Sequence, residues 1–168
     1  MARILVPLPR ADFDPTEAAV PWRILVDIGH EVRFATPDGR ARFVAVEHRG
    51  PAEPTDAAYP LHLTTGRVLA QYQSGAQTRR VRDLPDTGPF VELHPMLADR
   101  IGARDGELVV VATRRGELKA PARVVTTIRP DTVFVPFHWV GANRLTNDAL
   151  DPSSKMPEFK VSACRVQA

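Results

Sequence analysis

The sequence predicts a mainly β protein, a closed barrel of six short strands preceded by a small βαβ unit. Three observations carry that expectation. Beyond residue 59 the apolar runs are strand-sized and separated by turn chemistry at Asp105-Gly106, Arg114-Arg115-Gly116 and Ile128-Arg129-Pro130-Asp131. Only His94 to Gly102 in that region has helical apolar spacing. A sheet there has little helix to cover it and closes on itself rather than presenting bare edges. Before residue 41, by contrast, two strand-like runs bracket one helical pattern.

The first of these runs, ARILVPL, reads as a buried strand. A helix start follows, with Asp14 as N-cap, Pro15 at N1 and Glu17 closing a capping-box-like pattern. Ala18, Val20, Ile24, Leu25 and Ile28 continue at helical spacing until Gly29 at C′. EVRFATP is the second strand and Pro37-Asp38-Gly39 a turn. Residues 1–40 resemble the beginning of the DJ-1/PfpI class of glutamine-amidotransferase-like proteins, in which a Glu at the position of Glu17 lies near a nucleophilic Cys. No Cys follows here on a strand-to-helix elbow, and Cys164 belongs to a different motif. Glu17 is therefore expected to cap its helix rather than to serve as a catalytic acid. A two-strand fragment cannot bury both faces of its sheet, so it docks on the following domain, oligomerises or is partly ordered. Residues 41–58, rich in Pro and in small or charged residues, read as a linker, which leaves 59–168 for the barrel.

The barrel opens with YPLHLTTGRVLAQYQSGAQTRR, residues 59–80. Leu61 and Leu63 alternate with His62 as in a strand, and the chain breaks at Gly66, where a backbone without Cβ turns tightly or lets a ligand approach. The sequence then turns polar. No Asp or Glu occurs between Asp56 and Asp83, whereas Arg67, Arg79, Arg80 and Arg82 all fall in that window. Arginine matches phosphate with a planar fork of donors, and Thr, Ser and glycine amides complete such a cradle, so the stretch has the outline of an anion site. A solvated basic loop between two strands is the alternative on composition alone.

After the loop Leu84 to Pro89, FVEL is a short strand, and HPMLADRIG a short helix that starts at Pro95, faces Met96, Leu97 and Ile101 inward and stops at Gly102. Leu108 to Val111 are expected as a near-continuous buried strand, with Arg114 and Arg115 forming a solvated hairpin tip and ELKAPARVV the returning strand. TVFVPF and FKVSACRV supply two more strands, separated by a polar, turn-rich segment from Asn143 to Lys155.

Composition excludes several classes. The longest apolar runs are far short of the ~20 residues a membrane-spanning helix needs. One cysteine forbids an internal disulfide or a cysteine-based metal cluster, and MARILVPLPR is broken by Pro7 and Pro9 before any signal-peptide cleavage pattern, so a cytoplasmic protein is expected. The formal net charge of +2 is too small to argue nucleic-acid binding.

From Tyr59 onward the motifs YPLHLTTGRVLAQYQSGAQTRRV, ELHPMLADRIGARDGELVVVATRRGELKAPARV, IRPDTVFVPFHW and NRLTNDALDPSSKMPEFKVSACRV resemble, in order, the C-terminal molybdopterin-dinucleotide-binding domain of molybdenum oxidoreductases, nitrate reductases above all. That resemblance implies a double-psi β-barrel and, as ligand, molybdopterin guanine dinucleotide in a bis-dinucleotide molybdenum centre shared with domains this chain lacks. By position it implies cofactor contacts from Thr65, Gly66, Arg67, Val68, Gln71, Tyr72, Gln73, Ser74, Thr78, Phe137, Asn143 and Lys160, with His138 and Trp139 in the same aromatic segment as Phe137. It implies no metal ligand here, a catalytic molybdoenzyme chain as partner, and no catalysis by this chain alone. Two other classes stay open: a ligand-free double-psi barrel serving as a protein interaction module, and a small hydrolase resting only on residues 1–40.

Overall fold

The computed structural model describes residues 1–9, 15–37 and 48–168, which fall into two compact units, Met1–His48 and Arg49–Ala168. In the first, strand β1 (Arg3–Pro7) pairs in parallel with β2 (Glu31–Ala35), and helix α1 (Pro15–Asp27) connects them. Gly29 closes the helix at φ +87°, with its N–H on Val26 and that of His30 on Leu25. Ala18 is buried, yet Val20, Ile24 and Ile28 are exposed despite their helical spacing. Two strands form too narrow a sheet to cover that stripe. The Asp14 cap, Asp38-Gly39 and residues 41–47 lie outside the described residues.

The second unit is a closed six-stranded mixed barrel. Its strands are β3 (Leu61–Gly66), β4 (Val91–Leu93), β5 (Leu108–Ala112), β6 (Glu117–Val124), β7 (Thr132–Pro136) and β8 (Ser162–Gln167), in the order β3-β7-β4-β6-β5-β8 with β8 back on β3. The β3–β7 and β4–β6 pairs are parallel and the other four antiparallel. Closure leaves no free edge. Alternate residues of every strand point inward, so Leu61, Leu63, Val91, Leu93, Val109, Val111, Val133, Val135 and Cys164 make one core. The near-continuous burial expected of β5 gives way to alternation, with Leu108 exposed and Val110 only part-buried, because a barrel wall has an outer face that a sandwiched parallel strand lacks.

Helix α2 (Pro95–Ile101) forms as the sequence implies. His94 caps it by accepting from the Met96 N–H at 3.2 Å, and Gly102 ends it at φ +71°. Leu97 is buried, but Met96, expected on the same inward face, is exposed. The Arg114-Arg115 tip departs from expectation. It is an exposed hairpin tip, but its guanidiniums are not free: both grip Glu53, at 2.7 Å and 2.8 Å, and Arg114 also meets Asp56. Glu53 further accepts from the Ala163 N–H at 3.0 Å, so the stretch around it, taken from composition as linker, is clasped to β8.

Candidate functional site

Strand β3 carries its inward alternation past Leu61 and Leu63 to Thr65, a polar residue only 4% exposed. Its hydroxyl donates to the Phe159 carbonyl at 2.7 Å and its own carbonyl accepts from Lys160 Nζ at 3.3 Å, which pins the end of β3 to the segment before β8. The strand ends at Gly66, as expected. A Cβ there would lie 2.7 Å from Phe134 Cε2, so the packed ring alone already requires a glycine. Past β7, Phe137 donates its N–H to the Gly66 carbonyl at 3.1 Å and so follows β3. The sharp turn at Gly141, φ +112°, then brings Asn143 back in only a few residues; a Cβ at Gly141 would sit 2.8 Å from Leu118 Cδ1.

These local constraints converge on one cleft of about 310 Å³, lined by Thr65, Gln73, Ser74, Phe137, Asn143 and Phe159. Lys160 Nζ stands 5.4 Å from the Phe137 ring centre and 5.2 Å from that of Phe159, so a cation lies against both aromatic walls. The cleft therefore joins two ring faces, two primary amides, the Ser74 hydroxyl and, at its side, an ammonium. That combination suits a ligand with a flat heterocycle and an anionic group.

The remaining predicted residues divide. Gln71 and Thr78 brace the loop from inside. Thr78 Oγ1 donates to Gln71 Oε1 at 2.7 Å and accepts from the Tyr72 N–H at 3.2 Å, while Gln71 Nε2 donates to the Pro85 carbonyl at 3.0 Å. Gln71 is 5% exposed, and both of its amide heteroatoms have protein partners. The Val68 N–H is held by His138. Tyr72 is exposed. The side chains of Arg67, Arg80 and Arg82 are exposed and make no hydrogen bond or ion pair among the described residues, while that of Arg79 donates to the Gly75 carbonyl at 3.2 Å. Sequence reasoning passed over Phe159. An aromatic beside the predicted Lys160 was the available signal.

Two larger clefts lie elsewhere on this unit. One, about 390 Å³, is built on Glu53, Asp56, Arg114 and Arg115, whose charges neutralise one another; the other, about 570 Å³, runs beside Leu150 and Met156 and is mainly apolar. The cations of the first are paired, while the second has the exposed Arg49 at its rim but no aromatic ring in its lining. Cys164 is buried in the core beside Glu53, and its thiol is pushed up to about 12, first by burial and then by that carboxylate, which leaves it no role as a nucleophile. Among the described residues no group of three or more His, Cys, Asp and Glu is placed to hold a metal, and no helix is long and apolar enough to cross a membrane.

Residues 61–163, which contain every part of the cleft, match the molydopterin dinucleotide binding domain family. The chain belongs to this family. A curated relative, the F420-dependent formate dehydrogenase subunit alpha of Methanocaldococcus jannaschii, is 43% identical over 142 residues, covering 82% of this chain and 21% of its own length. The assimilatory nitrate reductase catalytic subunit of Bacillus subtilis is 41% identical over 140 residues, or 79% of this chain and 20% of the relative. Acetylene hydratase from Pelobacter acetylenicus shares the fold, with a TM-score of 0.53 over 65% of this chain and 18% of that one at 23% identity. This dinucleotide-binding chain thus spans about a fifth of the length of the relatives it matches. A match over 82% of 168 residues is also longer than the barrel, so the similarity takes in part of the chain before β3. A molybdopterin-type cofactor is the ligand class that goes with the family.

Proposed function

We propose that this chain binds molybdopterin guanine dinucleotide at the Phe137–Phe159 cleft, as the dinucleotide-binding part of a molybdenum oxidoreductase resembling the nitrate reductases. The observation that carries the reading is the convergence of Thr65, Gln73, Ser74, Phe137 and Asn143, far apart in sequence, on one cleft with Lys160 at its side. The donor set fits the group. Lys160 and the unpaired Arg67 would meet pyrophosphate, Asn143, Gln73 and Ser74 would meet hydroxyls and base or pterin edges, and the two phenylalanines would pack on a ring. The cofactor supplies the redox chemistry, and the chain's part is to hold and orient it. No metal ligand is assigned to this chain, so catalysis is left to the remainder of such an enzyme, a catalytic partner of which this barrel forms one domain or subunit. A cytoplasmic location goes with the same reading.

Exposed Leu69 and Tyr72 in the basic loop favour a second reading, a barrel that docks protein through that loop. Calorimetric titration of the 168-residue chain with GDP and GMP separates the two. Cofactor binding predicts saturable heat that weakens as salt rises, since exposed cations meeting phosphate are screened. Flat titrations at low salt count against it.

A further inference from the structure

The loop from Val68 to Ser74 hangs on one side chain. His138 is 2% exposed, its ring centre 4.9 Å from that of Phe137 and 5.7 Å from that of Trp139. Its Nε2 accepts from the Val68 N–H at 2.9 Å, and its Nδ1 is hydrogen-bonded to the Gln73 carbonyl. An amide N–H only donates and a carbonyl only accepts, so the ring is the neutral tautomer with the proton on Nδ1. Among the described hydrogen bonds these two alone tie residues 68–74 to a barrel strand or its immediate extension; the others stay within the loop or reach Pro85.

The backbone gives the second observation. Gln73 has φ +49°, and Lys155 is the only other non-glycine described residue with positive φ. A side-chain-bearing residue keeps that conformation only where its surroundings hold it, and the His138 bond to its carbonyl is such a hold. Gln73 and Ser74 line the cleft, and Phe137, next in chain to His138, forms its wall.

We infer that His138 is a positioning residue: through its two hydrogen bonds it sets the backbone of Val68–Gln73 and so places Gln73 and Ser74 in the cleft. The consequence for ligand binding rests on the function proposed above. The hook itself does not.

The test compares the full chain with His138→Gln, which keeps one donor and one acceptor, and His138→Leu, which keeps neither. Residue-resolved amide exchange is measured without ligand, followed by GDP titration. In His138→Leu the Val68 amide and its neighbours to Gly75 exchange about tenfold faster, a loss of one to two neutral hydrogen bonds, while β3 to β8 stay protected. His138→Gln regains protection, and GDP affinity follows the loop in both variants. Unchanged exchange at Val68 in His138→Leu overturns the inference, as does equal loss of protection in loop and barrel, or His138→Gln behaving like His138→Leu. A loop that loosens as stated in a chain that takes up no GDP sinks the cofactor reading and leaves the hook standing.

Discussion

Glu53→Ala lowers the stability of the barrel by about 3 kcal/mol in urea unfolding at pH 7, because it removes one acceptor from under three donors. The Glu53 side chain is 13% exposed and takes hydrogen bonds from Arg114, from both ends of the Arg115 guanidinium and from the Ala163 N–H on β8. Without it the half-buried Arg115 keeps only the Leu145 carbonyl, at 3.1 Å. The same clasp makes stability depend on acid. The Arg115 hydrogen bond first, with the Ala163 amide and Arg114 behind it, lowers the Glu53 carboxyl from 4.5 to about 2 against the opposing effect of burial. A depressed folded-state value means that the contribution is complete above pH 4.5 and disappears as pH falls toward 2. A shift of that size corresponds to roughly 3 kcal/mol, in line with the substitution. Urea midpoints of wild type and Glu53→Ala therefore differ most at neutral pH and converge near pH 2. A gap that persists unchanged to pH 2.5 would show that Glu53 acts through packing rather than charge.

Lys160→Met weakens GDP binding about ten- to one-hundredfold while leaving the urea midpoint nearly unmoved. The substitution keeps the apolar stem against Phe137 and Phe159 and removes the ammonium, so it isolates the charged hydrogen bond to phosphate, worth ~1.5–3 kcal/mol. Its bond to the Thr65 carbonyl is long at 3.3 Å and half open to solvent, so little stability goes with it. Arg67→Ala is the companion. The Arg67 side chain is exposed and makes no hydrogen bond or ion pair among the described residues, so its loss is read in affinity alone. Calorimetry and urea titration on the same preparations check both, and an affinity unchanged in both variants would detach the anion from these cations.

How far each feature was legible follows from the range of the interaction that makes it. Strands β3 to β8, α2 with its His94 and Gly102 ends, and the βα unit before them depend on alternation, caps and turns, all set within a few residues. The acid-free window around Arg67 was equally local. Phe137, Asn143 and Lys160 came to the list through family likeness, because no periodicity relates β7, the turn after it and the approach to β8. The Glu53 clasp left no mark in the sequence. It joins residues about sixty positions apart, and Arg114-Arg115-Gly116 looks like any exposed hairpin tip until the partner is seen. Gly66 was legible as the end of β3, but the ring it packs under was not, since only the closed barrel lays Phe134 over it. The bracing by Gln71 and Thr78 was not legible, because polar residues in a loop carry no sign of which amides they will satisfy once the loop is folded.

The most direct test of the account is a residue-resolved map of GDP on the folded 168-residue chain by amide and side-chain NMR shifts. The account predicts saturable changes gathered on Thr65, Gln73, Ser74, Phe137, Asn143 and Lys160, with the Glu53–Arg114 cleft silent. Changes confined to Glu53, Asp56 and Asn147, or a spectrum that does not move at saturating nucleotide, would contradict it.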